Sequence, residues 1–293
     1  MDTRESFREE LLMIPGKDDI SLALWKIFEE NQQEKGHVFL THGTFSDKRV
    51  CRGIASFLAN HGYHCWILEW REHGKSGGNG RPFNFESIGL EDIPATLNYL
   101  KKEHEIESMH AITHSGGGIC LTMALIEYPD FRPFIQSMTM FGCQAFGAAH
   151  SNKNFLKILL GKYMGVLLGR YYGRKMGRAH DESFYTMKQW YGWNLSGKFL
   201  GAEQKDYRAH MPSVGVAVLS IAAKGDTLIA PPEGCKQFLE AFQNPANRFW
   251  LLSKEVGNLE DYDHGRIMHS SSASKEIWPE VLEWMEMQEQ RIC

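Results

Sequence analysis

The stretch "AITHSGGGIC", residues 111–120, decides how the rest of the chain is read. It begins apolar and passes through one serine into three glycines, the pattern of a chain that leaves a buried strand, turns sharply and enters a helix. Such a turn pushes Ser115 outward. A nucleophile elbow needs that arrangement, with small residues two before and two after the serine so that the backbone can fold tightly. The frame here is Thr113, His114, Ser115, Gly116 and Gly117. The second small position is glycine, whereas the first is threonine, larger than the usual glycine but still short. The plain alternative is a glycine-rich helix start without chemistry.

Working outward, strand-like and helix-like segments alternate. "EELLMIPGKDDISLALWKIFEE" (9–30) reads as two strands joined by a turn, "PGKDD". "HVFLTHG" (37–43) is a continuous apolar run suited to a buried parallel strand, and "DKRVCRGIASFLANHGY" shows helical spacing up to a glycine. "HCWILEW" (64–70), the helical "ESIGLEDIPATLNYLKKEHE" with an internal Pro94, and "SMHAITH" (108–114) continue the rhythm. After the 111–120 turn come "PFIQSMTMFG" (133–142), "VGVAVLSIAAKGD" (214–226), "PPEGCKQFLEAF", "NRFWLLSK" and a last helix from about Ser271 to Gln290. The alternation predicts an α/β fold, a mostly parallel central sheet with helices on both faces.

Between Ala145 and Met211 the rhythm breaks in a segment too long for an ordinary connection. It reads as a helical cap, residues 145–211, inserted over the sheet's C-terminal edge, with 1–144 and 212–293 forming the core. Glycines recur within it at 161, 165, 169, 173 and 177. Glycines four apart drift about 40° per step around a helix, and each costs about 1 kcal/mol of helix propensity against alanine. Such a helix holds only if packed closely against the body; otherwise it is broken, which suits a lid, or is a loosened surface loop.

Serine is a poor nucleophile without a base, and the base needs a carboxylate to hold its tautomer. "LSIAAKGDTLIAPP" puts Asp226 at a strand's C-terminal end, and "EDYDHGRIMH" puts His264 in the loop after the last strand, with His269 as a nearby competitor. Singly, Asp226 reads as a helix cap and His264 as a surface histidine. Together they follow Ser115 in the chain order serine, acid, histidine. Ester or amide cleavage also needs backbone donors for the developing oxyanion, and "LTHGTFSD" supplies a loop after a buried strand. The candidate donors are the N–H groups of Thr44 and Gly116, with His42 in a structural role.

Composition narrows the field. A formal charge of -4 argues against nucleic acid as a partner. The six cysteines lack C-x-x-C spacing and read as reduced thiols of a cytoplasmic protein. Residues 1–19 mix acids and bases where a signal peptide needs an apolar core, and no run reaches the roughly 20 apolar residues of a membrane span. No clustered ligand set or phosphate loop is found, so neither metal nor cofactor is expected.

The motifs "HGTFSD", "EWREHGKSGG", "THSGG", "GDTLIAPP" and "DHGR" resemble the α/β-hydrolase superfamily, in particular its lysophospholipase, monoglyceride lipase and serine aminopeptidase-like branches. In these branches the loop after the fourth strand reads D-x-R-G-H-G-x-S. Here Glu69 replaces the aspartate and Glu72 the first glycine. The resemblance implies Ser115, Asp226 and His264 as a triad, and an enzyme that cleaves carboxylic esters with an apolar acyl group through an acyl-enzyme. An acyltransferase or peptidase on the same triad, or a ligand-binding protein without turnover, stays open.

The cap bears on substrate. From Lys153 to Arg178 it carries seven cations and no acid, interleaved with apolar runs. Such a segment is suited to rest on anionic lipid headgroups or draw in an anionic substrate, or it is a solvated charged face. Tyr171, Tyr172, Trp190 and Trp193 are candidates for an acyl pocket, or for the cap's own small core. Oligomeric state is not legible.

Overall fold

The computed structural model describes residues 7–168 and 171–292. Strands β1 (Phe7–Pro15) and β2 (Ser21–Glu29) form the expected hairpin, paired from Phe7 with Glu29 to Pro15 with Ser21. Six further strands follow: β3 (Gly36–Thr41), β4 (Tyr63–Leu68), β5 (Met109–His114), β6 (Ile135–Phe141), β7 (Ala217–Ala223) and β8 (Arg248–Leu252). They make one eight-stranded sheet in the order β1-β2-β4-β3-β5-β6-β7-β8. Only β2 with β1 and with β4 pairs antiparallel; β3 to β8 are parallel to their neighbours.

Of helices α1 (Arg49–Ala59), α2 (Ile93–Glu103), α3 (Gly116–Glu127), α4 (Asn152–Leu168), α5 (Phe184–Ser196), α6 (Pro232–Glu240) and α7 (Trp278–Ile292), α4 and α5 pack on each other and the others cover the sheet. Its two faces are sorted by strand alternation. Val38 and Leu40 of β3 join Cys65 and Ile67 of β4 in a core with α1 and α7. Phe39, Trp66 and Leu68 point the other way, into a core with α2, α3, α5 and α6. Burying each such aliphatic or aromatic side chain contributes about 1.5–3 kcal/mol, which is why these short apolar runs form interior strands.

Two expected helices are interrupted, both at proline. Before Pro94 the chain makes a wide π turn over Ile88–Asp92, because a proline ring would clash with the carbonyl four residues earlier. The C-terminal helix splits into Ser271–Glu276 and α7 just before Pro279 for the same reason. The first wide turn places Asp92 against Arg71, whose Nε lies 3.0 Å from Oδ1, and both side chains are buried.

The described residues of the 145–211 segment contribute no strand to the sheet. The glycine ladder in this segment does not run along one helix. Gly161 and Gly165 lie in α4, where a Cβ would come within 2.7 Å of the Tyr191 hydroxyl oxygen and 1.6 Å of the Tyr171 hydroxyl oxygen respectively. They are glycine because two tyrosine rings rest on the helix backbone, and Tyr171 donates to the Gly161 carbonyl at 3.1 Å. Gly169 lies outside the described residues. Gly173 packs against the backbone of His180, and Gly177 makes a left-handed turn at φ +74°. The repeat in sequence thus serves two jobs: close packing and chain reversal.

Removing one partner of a buried ion pair leaves an uncompensated charge. Arg71→Leu is predicted to lower stability by about 3–5 kcal/mol, measured as the urea unfolding free energy.

Candidate active site

The turn between β5 and α3 is built by close approach. Ser115 holds φ +52° and ψ -123°, a left-handed conformation rare for a side-chain-bearing residue, and its N–H donates to the Phe141 carbonyl at 2.9 Å. A Cβ on Gly117 would sit 2.6 Å from the His42 carbonyl oxygen, and one on Gly43 would sit 2.6 Å from the Ser115 Cβ. Thr113 is accommodated because its hydroxyl bonds the Thr139 carbonyl at 3.4 Å and faces Gly118, which has no side chain.

The structure brings Ser115, His264 and Asp226 together. His264 Nε2 lies 2.8 Å from Ser115 Oγ, and His264 Nδ1 lies 2.5 Å from Asp226 Oδ2. With the Nδ1 proton donated to the carboxylate, Nε2 is left as an acceptor for the serine hydroxyl. Asp226 also accepts from the N–H groups of Ile229 and Ala230, each at 3.0 Å. Burial works against its charge, but His264 and these two donors outweigh it and hold the carboxyl below its ordinary value. His269 stands beside Gly265 on the cavity wall and is not the histidine bonded to Ser115. His114, the residue before the serine, donates through Nε2 to the His264 carbonyl at 2.7 Å. Burial, then the neighbouring His264, pushes its pKa down to about 3, so it stays neutral while it holds the loop.

Gly116 opens α3, so its N–H has no intrahelical acceptor. Thr44 follows Gly43 on the loop that lies against the serine, and both Thr44 and Gly116 line the same cavity as Ser115. His42 accepts from the Trp70 N–H at Nε2 (3.1 Å) and donates from Nδ1 to the Gly43 carbonyl (2.8 Å), the structural role expected of it.

This loop is anchored from the β6–β7 segment by a group that the sequence reading missed, Glu182, which is fully buried. One of its oxygens accepts from the Phe45 N–H at 3.2 Å and lies 3.3 Å from His73 Nε2; the other accepts from the Ser183 N–H at 2.8 Å. His73 Nδ1 faces the Arg71 carbonyl at 2.9 Å. Both ring nitrogens therefore face acceptors, an arrangement that favours the imidazolium. Burial alone lowers the His73 pKa, but Glu182 and that carbonyl outweigh it and raise the value above the ordinary 6.5. His180 adds a second tie, its N–H donating to the Phe45 carbonyl at 3.3 Å and its Nε2 lying 3.1 Å from Asp47. The only signal for Glu182 in the sequence was an acid next to a basic segment, which says nothing about its destination.

Ser115 and His264 open into a cavity of about 860 Å³ with an apolar wall of Phe85, Ile158, Met187, Trp190 and Leu228. Of the aromatic residues expected to line it, Tyr171 and Trp190 do, joined by Tyr191. Two others do not reach it. Tyr172 is exposed, with the Lys175 ammonium 4.8 Å from its ring, and Trp193 is buried against Phe85 and Phe199 with its N–H on the Leu200 carbonyl. At the opposite edge of the sheet, Glu34 receives His37 Nε2 (3.1 Å) and His64 Nδ1 (2.9 Å), a grouping that hydrogen bonding accounts for.

A mostly parallel sheet with an order reversal at β3 and β4, carrying serine, acid and histidine after β5, β7 and β8 in turn, defines an α/β-hydrolase. Residues 32–251 match the family model for serine aminopeptidase, S33, over well more than half of the chain, and the chain belongs to that family of serine hydrolases. The matched region contains Ser115 and Asp226 and ends before His264. Comparison by sequence with curated proteins returns no match. Among solved structures, the chain is similar to the Pyrococcus furiosus esterase Pf2001, at 20% identity and a TM-score of 0.64 over 97% of this chain and 92% of that one. It is similar also to a thermophilic esterase from Thermogutta terrifontis (14%, TM-score 0.62, covering 96% and 99%) and to an esterase from Exiguobacterium antarcticum (13%, 0.63, covering 94% and 98%). At these identities the likeness is one of fold.

Because pairing raises the His73 value, its share of stability is complete below about pH 6.5 and is lost as the pH rises through the raised value. The difference in Tm between wild type and Glu182→Gln is predicted to be largest below about pH 6.5 and to shrink as the pH rises through the raised His73 value. Glu182→Ala, which also frees the Phe45 N–H, is expected to slow fluorophosphonate labelling of Ser115 by about tenfold to a hundredfold while the protein stays folded by circular dichroism.

Proposed function

We propose that the protein hydrolyses carboxylic esters with an apolar, lipid-like acyl group through an acyl-enzyme on Ser115. The observation that carries this reading is the unbroken chain from Ser115 Oγ through His264 to Asp226, opening into an apolar-walled cavity. Ser115 Oγ attacks the ester carbonyl carbon while its proton passes to His264 Nε2, and Asp226 stabilises the imidazolium. The oxyanion that forms is received by the Thr44 and Gly116 N–H groups. Collapse breaks the bond to the alcohol, which leaves with the proton from His264. A water molecule then repeats the sequence on the acyl-enzyme, releasing the acid and restoring the serine.

The cavity favours this reading over an aminopeptidase. Recognition of a free α-ammonium group needs an uncommitted carboxylate. Among the described lining residues Asp47 is the one acid, and it is bound to Arg49 and His180. Burial opposes its charge, but Arg49 above all holds it at a pKa of about 2. Residues 145–211, which supply Ile158, Met187 and Trp190 to the wall, serve as the cap. Five cysteines are free and buried, which suits the reducing cytoplasm, and among the described residues no helix is long and apolar enough to cross a membrane.

A fluorophosphonate probe should label the wild type stoichiometrically by intact mass and leave Ser115→Ala unlabelled. With p-nitrophenyl esters of increasing chain length, kcat/KM is expected to rise from acetyl to medium acyl chains. Asp226→Asn, which keeps the shape but favours the wrong tautomer, should lower kcat by up to about 10⁴-fold. Labelling that persists in Ser115→Ala, or turnover indifferent to Asp226→Asn, would overturn the assignment.

A further inference from the structure

Helix α4 is two-faced in an unusual sense. Asn154, Ile158, Gly161 and Gly165, spaced i, i+4, i+7 and i+11, form the inner stripe. Ile158 is buried on the cavity wall, and Asn154 donates to the carbonyls of Ala148 and Thr227 at 3.1 and 2.8 Å. Two residues further on, and so on the opposite side, Leu156, Leu160, Tyr163 and Leu167 repeat the same spacing facing solvent, with Met164 and Val166 beside them. Their exposures run from 53% to 79%. A helix on a water-soluble surface normally turns polar residues outward. Here the outward side is the apolar one, along a helix roughly 25 Å long.

Charge selects what covers it. The 17 residues of α4 contain no acid, and Lys153, Lys157 and Lys162 flank the apolar stripe. Among the described residues none of the three has an acidic partner within salt-bridge distance. The next turn of chain adds Arg174, Lys175 and Arg178, also exposed. A second copy of the chain seated on this face about a two-fold axis would bring the same lysines against one another. An apolar stripe edged by cations fits a surface that is apolar beneath and negative at the top. The face also adjoins the cavity mouth, since Lys157 and Ile158 line it.

We propose that the outward face of α4 docks in the plane of an anionic phospholipid surface, with Leu156, Leu160, Tyr163 and Leu167 among the acyl chains and the lysines at headgroup level. The entrance to the cavity then opens against the lipid from which an acyl ester can enter. Docking does not depend on the reaction proposed above, so it is measured on Ser115→Ala as well as on wild type.

The experiment is co-sedimentation with vesicles of phosphatidylcholine alone and of phosphatidylcholine mixed with phosphatidylglycerol, at low and high salt. Wild type and Ser115→Ala are expected to bind the mixed vesicles, more weakly at high salt. The double variants Leu160→Glu/Leu167→Glu and Lys153→Glu/Lys162→Glu should each bind at least about tenfold more weakly. These side chains do not line the cavity, so turnover of a soluble short-chain p-nitrophenyl ester should be unchanged in both, which also reports that they fold. Three results would overturn the proposal: no binding by folded wild type, equal binding to both vesicle types, or binding undiminished in the variants. A concentration-dependent dimer that Leu160→Glu/Leu167→Glu dissociates, without vesicle binding, would overturn it in favour of an interface between copies.

Discussion

The site depends on how closely three backbone segments approach one another around Ser115. The exit loop of β3, the start of α3 and the end of β6 converge there, with the Trp70 and Phe85 rings against them, and the contacts leave no room for a side chain at Gly43, Gly116, Gly117 or Gly118. A residue at φ +52° costs of the order of 1–3 kcal/mol and persists only where its surroundings over-determine it. Here the surroundings are the parallel ladders of β5 with β3 and β6, themselves buried on both faces. The sheet thus does more than carry the loops: its rigidity holds the serine in its strained pose.

Much of this was legible in the amino-acid order because it is written locally. Continuous apolar runs mark the interior strands, and the THSGG frame marks the sharp turn whatever surrounds it. The order Ser115, Asp226, His264 survives because the parallel strands β5, β7 and β8 of one sheet deliver their C-terminal ends to one edge. The interruptions at Pro94 and Pro279 were readable in principle, since proline's clash is local, but the π turn that absorbs the first needs Arg71 opposite to be understood.

What was not legible lies in the segment between β6 and β7. Tyr171 and Tyr172 are chain neighbours with opposite fates, one laid on the glycines of α4 and one turned to solvent beside Lys175. Trp190 and Trp193 are three apart on α5, close enough to share a face, yet the first reaches the cavity and the second completes a cluster with Phe85 and Phe199. Periodicity places residues on sides of a helix; it does not say where the cavity ends. Glu182 escaped for a deeper reason. A buried carboxylate is tolerable only with partners, and beyond the adjacent Ser183 N–H its partners, the Phe45 N–H and His73, lie more than a hundred positions away in sequence. Nothing near Glu182 foretells them.

The two stripes of α4 also divide the helix for evolution. On the inner side a single methyl group at Gly165 collides with Tyr171, so a larger residue there works against the fold. On the outer side Leu156, Leu160, Tyr163 and Leu167 touch little of their own chain, and substitutions there are nearly free of folding constraint. One element therefore carries a constrained face and an adjustable one back to back. Substitutions can retune the character of this outer face, from more apolar to more charged, without disturbing the packing on the helix's other side.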